Sequence, residues 1–164
     1  MTNYFFIRFL NATLCILGII LSIYAYYVEF NKERDPMFRA MCDYNGYVSC
    51  SKVFTSRWGR GFGLLEYVVD KDHWLNQPNS IFGLTFYVFQ IMLGENHTVS
   101  GSIVQLVFSC IANLGSIYLG CILYFILQDF CIICVSTYIV NATLLGVNIL
   151  KYNHMQSRWK KKST

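Results

Sequence analysis

The chain has 164 residues, of which 55% are hydrophobic and only 13% charged, with a net charge of +4. Soluble domains carry roughly 25% charged residues, so a water-solvated globular domain is excluded, and so small a charge excess argues against a nucleic-acid partner. The charges are also badly mixed. Phe9–Val28, His73–Gly94, Asn96–Gln128 and Phe130–Leu150 contain no Asp, Glu, Lys or Arg. A bilayer-spanning helix needs about 20 mostly apolar residues, so each gap can hold one span. The expected fold is an all-α membrane protein, a four-transmembrane-helix bundle forming one domain over residues 1–164.

The first predicted span covers residues 9–28. It is longer than the roughly 7–15 apolar residues of a signal peptide, and no small-x-small cleavage site follows it; it reads as a retained signal anchor. The loop over 29–79 comes next and holds Cys42 and Cys50, with Asp43, Asn45 and Gly46 between them. Further on, Ser56-Arg-Trp-Gly-Arg-Gly-Phe-Gly63 lacks the spacing and Lys-Ser/Thr ending of a phosphate loop. Its glycines are expected to make tight turns that cap the bundle. Leu64–Val69, ending in Asp70-Lys-Asp72, reads as a short interfacial helix anchoring that cap.

The second span, near 80–95, is the shortest, bounded by Asn79 and Glu95. Asn79 is either a helix N-cap shared with Ser80 or a polar group placed for a ligand. The third span, near 102–126, carries Ala112, Ser116 and Gly120 at four-residue spacing, a close-packing stripe, with Gln105 and Asn113 turned inward. Asp129 then reads as the N-cap of a fourth span, near 131–150, which opens on Cys131 and Cys134. The remaining cysteines, Cys15, Cys110 and Cys121, fall in mid-span and read as small packing residues.

Four spans put both termini on one side. The tail from Lys151 to Thr164 has five basic residues and no acid, which places it in the cytosol. Its ending, Lys161-Lys162-Ser163-Thr164, matches a dilysine retrieval signal, implying the endoplasmic reticulum membrane; a basic stretch attracted to anionic lipid is the simpler reading. Loop 29–79 carries seven basic and seven acidic residues, which weighs mildly against this orientation. With the tail cytosolic, the loop is a lumenal cap, and Cys42 and Cys50 share an oxidising compartment with Cys131 and Cys134. The sequons at Asn11 and Asn141 lie within spans and that at Asn96 in a cytosolic turn, so none is expected to carry glycan.

A Cys-x-x-Cys pair at a helix start is suited to two-electron thiol chemistry, because the first-turn N–H groups and the dipole stabilise a thiolate. At a membrane surface, the first candidate substrate is a quinone. Cys134, one turn deeper, is expected to attack the lipid-borne substrate and Cys131 to resolve the adduct. Cys50 can then attack the 131–134 disulfide and Cys42 resolve the mixed disulfide. Two other readings stand beside this one. The bridges could be static, in a non-catalytic four-span scaffold, or two Cys pairs could bind zinc. The seven-residue gap between Cys42 and Cys50 exceeds the two to four usual within a zinc pair, and no metal site is expected.

At this point the chain resembles the vitamin K epoxide reductases of animals, from Ile19 to Tyr152. The resemblance rests on Arg39-Ala-Met-Cys42, Ser49-Cys50-Ser51, Ser56–Gly63, Leu75-Asn-Gln-Pro-Asn-Ser-Ile-Phe-Gly83 and Asp129-Phe-Cys-Ile-Ile-Cys134 with Thr137-Tyr138. The Asn-Gln-Pro-Asn-Ser and Phe-Cys-Ile-Ile-Cys segments are nearer to the family's vitamin K epoxide reductase-like branch; Phe54 and Arg57-Trp58 fit either branch. The resemblance implies reduction of vitamin K 2,3-epoxide to the quinone and of the quinone to hydroquinone, with no bound cofactor. It implies Cys131 and Cys134 as the active pair and Cys42 and Cys50 as a shuttle fed by a lumenal thioredoxin-fold protein of the protein disulfide isomerase type. It implies coumarin-type inhibitors in the substrate pocket. It places Asn79 and Tyr138 against the substrate oxygens, while Phe54, Trp58, Phe82, Phe86 and Tyr87 are candidate walls for the ring. The same relay run in reverse, as a quinone-dependent disulfide-generating oxidase, has the same residues, since direction follows redox poise.

Overall fold

A computed structural model describes residues 4–44, 48–65, 73 and 76–163. Among these there is no strand. The elements are α1 (Tyr4–Arg34), α2 (Cys50–Phe54), α3 (Asn79–Gly94), α4 (Val99–Ile122) and α5 (Ile132–Ser163), with short 3₁₀ turns after α2. The four longer helices pack in a ring: α1 on α3, α3 on α4, α4 on α5 and α5 on α1.

Three stretches, Tyr4–Arg34, Val99–Leu127 and Ile132–Lys161, are long and apolar enough to cross a membrane. The helix at the expected second span, α3, has 16 residues. At 1.5 Å per residue that is about 24 Å, short of a ~30 Å hydrocarbon core. Pro78 holds its N-cap position and Glu95 ends it.

The bundle interior mixes small, polar and apolar side chains, and its outer surface is largely apolar. On α1, Ile7, Asn11, Cys15, Gly18, Ser22, Ala25 and Val28 are buried at three- and four-residue intervals, the period of one helix face. Phe5, Phe9, Ile16, Ile20 and Ile23 on the opposite face are exposed. Water would reject such a surface, while lipid accepts it. Small residues at the seams let backbones approach. A Cβ on Gly18 would come within 2.4 Å of the Tyr87 ring, so the α1–α3 seam requires glycine there. Of the mid-span cysteines, only Cys15 packs inside; Cys110 and Cys121 are exposed on the outer face of α4, contrary to the expectation that all three are packing residues.

Toward the end of α3, a buried polar network ties the four helices. The Gln90 and Gln105 carboxamides donate reciprocally to each other's backbone carbonyls, each at 3.2 Å. Asn148 of α5 donates to Gln90 Oε1 at 3.1 Å, and Gln105 donates to Asn11 of α1 at 3.4 Å. Leaving such groups without partners away from water is costly. Lys151 belongs to this network and not to a solvated tail. It is 1% exposed, and its Nζ donates to Leu93 O at 2.7 Å, Gly94 O at 3.0 Å and Gln105 Oε1 at 2.8 Å. The reason is the shortness of α3. Its last carbonyls fall inside the bundle, where a helix C-terminus attracts a cation. Beyond Lys151, α5 continues as helix through the expected tail to Ser163.

At the opposite end, α4 widens into a π-helical turn over Leu123–Leu127, and Gln128 takes a left-handed conformation with φ of 52°. Asp129 does not cap α5. The Ser49 N–H donates to Phe130 O at 3.2 Å, and Val48 bridges to Phe130, which keeps the chain out of helix through Phe130. Asp129 instead faces Lys52 at 3.6 Å, and Cys131 takes the N-cap position. In the cap, Gly61, Phe62 and Gly63 all have positive φ, at 53°, 58° and 67°. Of the interfacial helix expected over Leu64–Val69, only Leu64 and Leu65 fall among the described residues; the rest lies outside them, as do Asn45 and Gly46.

Candidate active site

Ser49 accepts a hydrogen bond from Lys52 N and caps α2, so Cys50 opens one helix as Cys131 precedes another. The Val48–Phe130 bridge sets these two helix starts side by side. Cys42 and Cys50 form a disulfide, with Cα atoms 6.0 Å apart. The Cys131 Sγ lies 3.6 Å from Cys50 Sγ. The Cys134 N–H donates to Cys131 Sγ at 3.3 Å, so Cys131 caps α5 with its sulfur where an Asp or Ser oxygen commonly serves. Both Cys50 and Cys131 are 0% exposed.

Asp43 holds the Cys42–Cys50 loop closed. Its Oδ1 accepts from Ser51 N at 3.1 Å, and its Oδ2 from Ala40 N at 3.0 Å and Ser51 Oγ at 2.5 Å. Partial burial pushes the Asp43 carboxyl up, but these hydrogen bonds outweigh it and hold the carboxyl below its ordinary value.

Cys134 faces the other way, onto a half-open cavity of about 900 Å³ lined by the bundle and its cap. Phe54 and Trp58 reach its wall from the cap, Asn79, Phe82, Phe86 and Tyr87 from α3, and Cys134 and Tyr138 from α5. Cys131 is not on the wall. Asn79 is neither the N-cap of α3, where Pro78 stands, nor aided there by Ser80, whose buried Oγ has no hydrogen-bond partner. Its Nδ2 donates to Trp58 O at 2.7 Å, and its Oδ1 accepts from Phe62 N at 2.8 Å. The side chain thus pins the cap turn while keeping one N–H and one lone pair. Tyr87 fills the notch at Gly18 and donates to Asn141 Oδ1 at 2.8 Å.

Sequence reasoning missed Glu29, Phe62, Tyr118, Thr137 and Asn141, all on the wall. Asn141 was detectable. It follows Cys134 by seven residues and Tyr138 by three, the spacing of one helix face. Glu29, Phe62 and Tyr118 come from elements whose relative placement only the packed bundle sets. Among the described residues, no group of three or more His, Cys, Asp or Glu is disposed to hold a metal ion.

A sulfur chain from the cap to an apolar cavity, entered through a Cys-x-x-Cys helix start, is paired with a match to the family model described as the vitamin K epoxide reductase family over residues 9–149. The chain belongs to the vitamin K epoxide reductase family. Vitamin K epoxide reductase complex subunit 1 of Rattus norvegicus is 46% identical over 142 residues, covering 87% of this chain and 88% of that protein. The Mus musculus protein of the same name is 46% identical over 138 residues, covering 84% and 86%. As a member of this family, the chain is an oxidoreductase.

Proposed function

We propose that this chain reduces vitamin K 2,3-epoxide to vitamin K quinone, and the quinone to hydroquinone, in the endoplasmic reticulum membrane. It forms one four-span unit with cytosolic termini and its active site at the lumenal end; α3 is the short second span, accommodated by tilt of its neighbours or local thinning of the bilayer. The single observation that carries this reading is the 3.6 Å contact of Cys131 with Cys50 while Cys134 faces the cavity.

In this mechanism the Cys134 thiolate attacks the substrate. Tyr138 and the uncommitted N–H of Asn79 hold its oxygens, and Phe54, Trp58, Phe82, Phe86 and Tyr87 enclose the ring. Cys131 then attacks the Cys134 sulfur, releasing product and closing a 131–134 disulfide. Because Cys131 is wholly buried beneath Cys50, its reduction runs through Cys50. Cys50 attacks Cys131, and Cys42 resolves the mixed disulfide. A lumenal thioredoxin-fold dithiol of the protein disulfide isomerase type reopens the 42–50 bridge. No resident cofactor is needed; vitamin K is the substrate, and coumarin-type compounds compete for its cavity.

The test is epoxide turnover in membranes with dithiothreitol as reductant. Cys134→Ala is expected to abolish turnover. Cys50→Ala is expected to retain part of it, because a small thiol enters where the shuttle sulfur is removed. Robust turnover in Cys134→Ala would overturn the mechanism.

A further inference from the structure

The cavity wall includes one carboxylate among its described residues, Glu29. It stands at the upper end of α1, next to Val28, which packs in the same cluster as Cys42, Cys50 and Cys131. The carboxylate is therefore at the depth of the redox cysteines, and it is 3% exposed. Glu29 also lines a second, smaller space of about 90 Å³ on the outer side, with Glu33, Arg60 and Gln77. It is the one residue shared by the inner cavity and this polar vestibule.

Among the described residues, the charges around it are not balanced. Arg60 Nε donates to Glu29 Oε1 at 3.2 Å, and Arg60 NH2 donates to Glu33 Oε1 at 2.5 Å. Among the described residues one guanidinium thus serves two carboxylates, a surplus negative charge that a proton can neutralise. Burial disfavours the charged form. Glu33 is half-exposed while the Glu29 side chain is 4% exposed, so burial favours a proton on Glu29 over Glu33. The other titratable groups lining the two spaces are Tyr26 on α1, Tyr87 on α3, Tyr118 on α4, and Cys134 and Tyr138 on α5.

We propose that Glu29 is the proton-transfer residue of the cavity, drawing protons from the vestibule and delivering them to the substrate oxygen. This rests on the reading of the site as an epoxide reductase. That reaction consumes one epoxide and two thiols and yields one quinone, one disulfide and one water. Attack of the Cys134 thiolate forms a C–S bond and breaks a C–O bond, and Glu29 protonates the alkoxide so formed. Cys131 then forms the S–S bond and breaks the C–S bond. The released electron pair expels the hydroxyl group, which leaves as water with a second proton carried by Glu29. The two protons equal those lost by the two thiols, and the two electrons come from their sulfurs. Glu29 regains its proton from the vestibule each time.

The protonated carboxyl is the active form, so turnover should fall as pH rises through its ionisation, on a limb opposite to that set by thiolate formation. Glu29→Gln keeps the size and can still accept from Arg60, but its carboxamide cannot give up a proton. In full-length protein in membranes, with vitamin K epoxide and dithiothreitol, it is expected to lose about a hundredfold in kcat, the middle of the general-acid range, and to lose that limb. Glu29→Asp should restore part of both. Glu33→Gln leaves Glu29 in place and gives it Arg60 alone, which favours its charged form; the falling limb should then move to lower pH with the fold intact. Wild-type kcat and pH profile in Glu29→Gln, or an unmoved limb in Glu33→Gln, would overturn the role. Absence of epoxide turnover in the wild type would instead remove the reading of the site on which it rests.

Discussion

If electrons pass between Cys50 and Cys131, removing both resolving cysteines should trap that step. Cys42→Ser with Cys134→Ser leaves two thiols 81 residues apart in sequence with sulfurs 3.6 Å apart. A disulfide is ~2.05 Å long, so the two sulfurs need to close by about 1.5 Å, within the reach of side-chain rotation. Both are wholly buried, which slows competing thiols without excluding them. Fixed intramolecular pairs reach effective concentrations far above 1 M. Taking only ~1 M, a glutathione adduct on Cys50 is resolved by Cys131 over about 10 mM external thiol by roughly a hundred to one. Oxidation followed by alkylation and peptide mass spectrometry should find nearly all protein linked 50–131. The same variant with Cys131→Ser should remain open. A folded variant whose Cys50 and Cys131 both alkylate after oxidation would refute the direct hand-over.

Three further outcomes follow from the packing and electrostatics. Gly18→Ala places a methyl group against the Tyr87 ring and should cost about 1–3 kcal/mol, read as a lower unfolding temperature in detergent, with reduced turnover because Tyr87 also borders the cavity. Lys151→Met leaves two carbonyls at the α3 terminus and Gln105 Oε1 without their donor, a loss of about 2–3 kcal/mol for charge-assisted bonds, whereas Lys161→Met, at an exposed position, should be neutral in the same assay. Asp43 has its carboxyl lowered in the fold, so its contribution is fully present above the ordinary carboxylate value near 4 and is lost as pH falls through the folded value. Once the rate is divided by the dithiothreitol thiolate fraction, reduction of the Cys42–Cys50 bridge should therefore be unchanged from pH 6 to 8. Asp43→Asn should speed its reduction at pH 7 about fivefold, matching ~1 kcal/mol of lost hydrogen bonding, measured by timed alkylation.

Much of the candidate site was legible because its residues are local. Cys131, Cys134 and Tyr138 are spaced along one helix, and helical period alone puts Cys134 and Tyr138 on one face. The cap turn was legible too, since Gly61 and Gly63 stand where positive φ is needed. Asp129 misled for a local reason of its own. Its side chain suits an N-cap, but the pairing of Val48 with Phe130 delays the helix by holding the chain extended. Lys151 misled because its charge fits a tail, and only the shortness of α3 brings unpaired carbonyls to it.

Charge-free runs and small-residue stripes by themselves determined that this is a helical chain built for lipid, because spanning length and seam packing are properties of contiguous residues. The Cys-x-x-Cys spacing likewise determined the redox chemistry available. Only the tertiary structure decided which sulfur meets which. Cys50 and Cys131 come together through a bridge between segments far apart in the chain, and nothing in either segment alone encodes that contact. The same holds for Glu29, whose place between cavity and vestibule depends on where α1 meets the cap. Long-range juxtaposition is set by the packing of whole helices, and a side chain's neighbours across a bundle have no periodicity to read.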